Sequence, residues 1–198
     1  MTLLTLVRHG QTDWNLERRI QGSTDIPLND TGRADARAAA AVLAADRYDA
    51  IYASPLLRAQ ETAQIIADEL RLAPPAMTRG LREREFGVGE GLLVEEYLER
   101  WADWTTIVPG AETLEQVRDR AMDSLERIMR ASRRRSSPRA ESIIVVSHGG
   151  VIRALLMHCS GGTLPRQGEP LRNGSIHRFV AEPGSLRLLE SISTPQPV

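Results

Sequence analysis

Two short apolar runs, residues 2–7 (TLLTLV) and 142–147 (SIIVVS), lead into a histidine followed by glycine. The first meets Arg8-His9-Gly10 and the second His148-Gly149-Gly150. Continuous apolar, β-branched runs of this length read as buried strands. Helical stretches alternate with strands along the chain, which predicts a three-layer α/β/α sandwich with a mostly parallel central sheet and helices on both faces. In such sheets ligands sit beyond the carboxyl ends of the strands. Both histidines fall there, so topology alone can bring them together although they lie 139 positions apart.

The remaining pattern is consistent with that plan. A polar loop runs to about residue 30, followed by an alanine-rich helix over 32–45 and a short strand over 49–53. Ser54-Pro55 reads as the cap and first residue of a helix to about residue 70. Four glycines and several charges mark 79–91 as a surface loop, and 92–104 reads as a short helix bearing Tyr97, Trp101 and Trp104. Thr113 and Gln116 form a capping box for a helix to about residue 132. Residues 133–138 (RRRSSP) read as a solvated interhelix loop. A helix over 151–159 and a strand pair over 175–180 and 186–191 complete the chain. One domain over 1–198, with a small helical cap at about 92–112, is expected. The terminal strands offer an edge for a homodimer.

Composition narrows the chemistry. The 198 residues carry a formal net charge of −1, which argues against nucleic-acid and membrane-surface partners. No apolar run reaches the ~20 residues of a membrane helix. The apolar start is too short for a signal peptide, and a single cysteine, Cys159, fits a reducing compartment. A cytoplasmic protein is expected, with Cys159 buried in a helix. All 25 residues counted as Lys+Arg are arginines. P-loop and Schiff-base lysine chemistry are therefore excluded, and anion recognition falls to arginine, histidine and backbone amides.

A histidine directly after a buried strand is rigidly placed; Gly10 allows close backbone approach and Arg8 adds fixed charge. Taken alone, His9 reads as a structural or solvent-facing histidine rather than a nucleophile. The longer string Arg8-His-Gly-Gln-Thr12 with Asn15 resembles the histidine phosphatase superfamily, also called the phosphoglycerate mutase-like family. The resemblance continues through Arg19-Ile-Gln-Gly22, Asp25–Asn29, Ser54–Ala63, Leu81-Arg-Glu83, Glu90-Gly91 and Ser147-His-Gly-Gly150. It implies a phosphatase in which unprotonated His9 attacks phosphorus to give a phosphohistidine. Arg8, Arg58 and His148 would neutralise the phosphoryl oxygens, without metal or other cofactor. Spacing hardly separates Glu83, Glu85 and Glu90 as the general acid; the family pattern selects Glu83. Gly10, Gln11, Thr12, Asn15, Gln21, Gly22 and Gly149 carry over as phosphate or substrate contacts. His158 and His177 read as structural.

One departure stands out: Gly89 replaces a tryptophan that many relatives place before the Glu-Gly pair, which predicts a more open loop. Only 64 residues lie between Glu83 and His148, and the expected cap carries Arg100 against Glu95, Glu96, Glu99 and Asp103. That is a poor clamp for a second phosphate. Hydrolysis of a small phosphate ester is favoured over phosphoglycerate mutase activity, and both over a non-catalytic phospholigand-binding protein. The acidic, aromatic cap points to an uncharged or apolar alcohol as leaving group.

Overall fold

The computed structural model describes residues 1–192, apart from 105, 107, 137 and 167. Its elements are β1 (Thr2–Arg8), α1 (Asp13–Leu16), α2 (Asp30–Leu43), β2 (Ala50–Ala53), α3 (Leu57–Leu70) and β3 (Ala76–Met77). Then follow α4 (Val94–Trp101), α5 (Leu114–Ser136), β4 (Ser142–Ser147), α6 (Gly149–Cys159), β5 (Ile176–Glu182) and β6 (Ser185–Ile192). The strands form one sheet in the order β3-β2-β4-β1-β5-β6. β3, β2, β4 and β1 run parallel, whereas β5 and β6 are antiparallel additions.

Period-two alternation sorts the side chains into two layers. Leu4, Leu6, Ile143, Val145 and Phe179 face α5 and α6. Val7, Ile51, Ile144, Val146 and Ile176 face the other way, onto α2 and α3. Alanines 36, 39 and 40 of α2 and 59, 63 and 67 of α3 are nearly or fully buried there, so small side chains let these helices pack closely. The expected three-layer sandwich is what the chain forms.

Register positions the site. Arg8 of β1 lies opposite Ser147 of β4, so His9 and His148 are the next residues beyond adjacent strand ends. Gly10 is required where the chain leaves β1. A Cβ there would sit 2.1 Å from the Gly32 carbonyl oxygen, inside any real contact distance.

Three local expectations are corrected. First, α3 starts at Leu57, with no side-chain cap from Leu56. Asp25 reaches across from the preceding loop and accepts the Leu57 N–H at 2.7 Å, while the Ser54 hydroxyl oxygen accepts the Leu56 N–H at 3.3 Å. Second, 79–91 is no surface loop. Leu81 is buried, Arg84 is 3% exposed, and 3-10 turns occupy Arg79–Leu81 and Gly87–Gly89. Third, Arg133, Arg134 and Arg135 belong to the last turn of α5, where cations oppose the negative end of the helix dipole. The capping box at Thr113 and Gln116 does form, with reciprocal bonds of 2.8 and 3.2 Å.

Candidate active site

His9 is 2% exposed and His148 fully buried, with ring centroids 5.1 Å apart. His9 Nδ1 lies 2.7 Å from the Gly10 carbonyl oxygen, an acceptor only. Nδ1 therefore carries the proton and donates, and the lone pair is on Nε2. Burial, reinforced by the Arg58 and Arg8 cations, holds the His9 imidazole well below the usual histidine range. His148 is lowered in the same way, by burial first and then by Arg58, His9 and Arg8. Its Nε2 lies 2.7 Å from the Ser54 hydroxyl.

Arg58 extends from the first turn of α3 and is fully buried. Its two Nη atoms donate to the Thr24 and Gly22 carbonyls at 2.9 and 2.8 Å. Burial lowers its pKa to about 10, opposed by Glu83. Arg8 donates through Nη1 to the Leu171 carbonyl. After these bonds, Arg8 Nε, Arg58 Nε and His148 Nδ1 remain buried without a partner. Unpaired buried nitrogens concentrated around one imidazole are costly unless an anion completes them.

Glu83 faces this group from the 79–91 segment. Its carboxylate accepts the N–H of Gly150, at the start of α6, and that of Arg84. Arg120 of α5 anchors the segment, donating to the carbonyls of Gly80, Arg82 and Glu83 at 2.7–3.0 Å. It also pairs with both oxygens of Glu112 at 2.7 Å, and Glu112 accepts the Glu85 N–H. Arg120 is thus a positioning residue for Glu83. Arg120→Met is expected to lower the unfolding free energy by about 2 kcal/mol, below the full value of a buried pair because both side chains keep some solvent. Urea titration measures this, and hydrolysis of an alkyl ester should slow more than that of p-nitrophenyl phosphate.

The other two acids are engaged elsewhere. Glu85 pairs with Arg82 at 3.3 Å. Glu90 accepts from the amides and hydroxyls of Ser23 and Thr24 and from the Phe86 N–H, and so staples the loop whose carbonyls hold Arg58.

A cavity of about 430 Å³ opens over His9, Arg8, Arg58 and Glu83. Asn15, Gln21 and Gly22 line it, whereas Gly10, Gln11 and Thr12 do not. The Gly10 amide donates to Thr62, the Gln11 amide to Asp35, and Thr12 caps α1. Gly149 lies beside Arg8, 3.5 Å from Nε to its would-be Cβ. His177 is buried between Ser175 and Ser191, with burial lowering its pKa to about 4, and His158 is exposed. Cys159 is half-buried on α6.

Around the cavity mouth the charge is opposite to that expected. None of Glu95, Glu96, Glu99 and Asp103 lines it; Arg18 and Arg19 do. Glu95 pairs with Arg18 at the surface, and Glu96 caps the start of α4 through the Leu93 N–H. The loop at Gly89 is not open either. A Cβ there would meet Tyr97 at 2.8 Å, because that buried ring, stacked on Trp104, fills the space a larger residue would need.

Comparison with known proteins decides the family. The chain matches the model of the histidine phosphatase superfamily (branch 1) over residues 4–193. It belongs to that superfamily. It is 40% identical over 176 residues to the uncharacterized phosphatase PhoE of Bacillus subtilis (strain 168), covering 89% of this chain and 86% of the relative. It is 35% identical to a 2,3-bisphosphoglycerate-dependent phosphoglycerate mutase of Methylobacterium radiotolerans, covering 81% and 80%. A solved mycobacterial glucosyl-3-phosphoglycerate phosphatase, in complex with VO3, superposes with a TM-score of 0.82 at 27% identity, covering 96% and 97%. The fold is phosphoglycerate mutase-like, and the protein is a phosphoric monoester hydrolase. No helix among the described residues is long and apolar enough to cross a membrane.

Several residues of this histidine phosphatase site carry no signal in the sequence. Asn173 donates to the carbonyls of His9 and Gly10 and to Asn15 Oδ1 at 3.0–3.2 Å, from 158 to 164 positions away. Leu171 is 163 positions from Arg8, and Arg120 and Glu112 lie 27–40 positions from the segment they hold. Ser54 was legible only as a helix cap, a role the structure transfers to Asp25.

Proposed function

We propose that this phosphatase hydrolyses small phosphate monoesters through a phosphohistidine at His9, without a metal ion. The observation that carries the proposal is the His9 ring itself. Its Nδ1 is committed to Gly10, burial and two arginines keep it unprotonated, and Arg8 and Arg58 line the same cavity with unpaired Nε atoms.

His9 Nε2 attacks phosphorus and the bond to the ester oxygen breaks. Arg8, Arg58 and His148 balance the charge on the phosphoryl oxygens. His148 takes part as a donor through Nδ1, which is buried without a protein partner, and its Nε2 faces the Ser54 hydroxyl, which is able to donate to it in that tautomer. Glu83 gives its proton to the departing oxygen. Water then attacks the phosphohistidine as Glu83 takes a proton back, and inorganic phosphate leaves. Asn15, Gln21 and Gly22 shape the cavity wall, Gly149 flanks Arg8, and Gly10, Gln11 and Thr12 hold the strand-end loop. Residues 92–112 act as a cap whose Trp104 reaches the cavity, beside Phe86 of the preceding segment.

Purified protein in excess chelator should release phosphate from p-nitrophenyl phosphate at the rate seen without chelator. Activity that disappears with the chelator and returns with a divalent metal would overturn the metal-free reading. Interconversion of phosphoglycerates primed by the bisphosphate, without net phosphate release, would replace hydrolysis by mutase chemistry. Binding of phosphate esters with no turnover would indicate a phospholigand-binding protein.

A further inference from the structure

Beside the cavity over His9 lies a second lobe of about 230 Å³, whose lining shares Arg8, Glu83, Phe86, Trp104 and Leu171 with the first. Glu83 stands at the junction. An ester oxygen placed to take its proton, with the phosphoryl group on the His9 side, can direct the rest of the leaving group toward the second lobe.

Arg153 of α6 lines that lobe. It is half-buried, and its one hydrogen bond among the described residues is from Nη2 to the Glu169 carbonyl at 3.1 Å. The Glu169 carboxylate is turned to the Arg166 N–H instead. The neighbouring arginines are engaged differently. Arg84 donates to the carbonyls of Glu112 and Trp104, Arg18 pairs with Glu95, and Arg19 pairs with Glu17. Six arginines (8, 18, 19, 58, 84 and 153) line the two lobes against a single carboxylate, Glu83. A phosphoryl dianion balances Arg8 and Arg58. Arg153 is left partly desolvated: the Glu169 carboxylate acts on it through charge but makes no hydrogen bond to its guanidinium, an arrangement an uncharged leaving group would not relieve.

We propose, building on the phosphatase reading above, that Arg153 binds a carboxylate on the leaving group. The preferred substrates are then phosphate esters of small hydroxy acids. A planar guanidinium matches a carboxylate two bonds to two. A second phosphate would call for a further cation, and Arg84 is already held by two backbone carbonyls. At about 230 Å³ the lobe is roughly half the volume of the first and below the ~300 Å³ at which drug-sized ligand pockets begin, which suits a short acid. Phe86, Trp104 and Leu114 supply apolar walls for its carbon chain.

The test compares esters that differ in the carboxylate alone: 3-phosphoglycerate against glycerol 3-phosphate, and O-phosphoserine against O-phosphoethanolamine. The native protein should favour the acid of each pair by about 10- to 100-fold in kcat/KM, the span of a charge-assisted contact. In Arg153→Met that ratio should collapse through KM, and Arg153→Lys should restore part of it. Equal kcat/KM within each pair in the native protein overturns the proposal, whatever the variants do. So does a preference that persists in Arg153→Met, or one that this variant loses for bisphosphates over monophosphates but keeps for acids over alcohols. Failure of the underlying phosphatase reading looks different, because p-nitrophenyl phosphate would then release nothing.

Discussion

Alanine in place of His9 is expected to lower phosphate release from p-nitrophenyl phosphate by about 10,000-fold or more, the scale on which enzymes lose a covalent nucleophile. No other imidazole can take over. His148 is engaged with Ser54, and His177 is enclosed by two serines. The same geometry sets the pH response. Because burial and two arginines push His9 well below 6.5, the ring is unprotonated where an ordinary histidine would be charged. Protonation of His9 removes activity only as pH falls through that lowered value, so its acid limb in kcat/KM lies well below pH 6.5. A limb at 6.5 or above would contradict the environment described for His9. Thermal unfolding separates loss of chemistry from loss of fold, since His9 is nearly fully buried and truncation leaves a cavity. His9→Asn, closer in volume, should fold better and remain equally inactive.

Glu83→Gln carries the second large effect. Removal of a general acid costs about 100- to 10,000-fold when the departing oxygen needs its proton. An alkyl phosphate should lose that much in kcat, and p-nitrophenyl phosphate far less, because p-nitrophenolate leaves without assistance. Glutamine keeps an oxygen for the Gly150 N–H, so the side chain holds its place and the comparison isolates the proton. Equal losses on both substrates would move the acid elsewhere. Glu85 and Glu90 are poor successors, one paired with Arg82 and the other stapled to Ser23 and Thr24.

The parts of this site legible in the sequence are those set by strand ends. His9 and His148 follow continuous apolar runs, and parallel pairing of the two central strands makes them neighbours. Arg58 and Glu83 required the family pattern, since spacing alone hardly separates three glutamates. Long-range side-chain contacts were invisible: Arg120 under Glu83, Asn173 behind His9 and Ser54 behind His148 depend on how helices and loops dock. The cap misled for a related reason. Its glutamates are close in sequence to the aromatic residues that reach the site, yet they lie outside the cavity wall. Arginines 18 and 19, in a turn where Arg18 has φ of 57°, line the wall instead. Charge counted along a segment says little about charge facing a cavity. That reversal moves the expected leaving group from an apolar alcohol to an acid.

The most direct test is to catch the covalent intermediate. The protein is mixed with a phosphate ester, quenched in alkali within a turnover and digested, and its peptides are weighed. The account predicts a mass increment of one phosphoryl group on the peptide holding His9, localised to that ring, labile in acid and absent from Glu83→Gln only if formation, not hydrolysis, has become limiting. Phosphate release at the normal rate with no label on His9 at any quench time, or with the label on another residue, would contradict it.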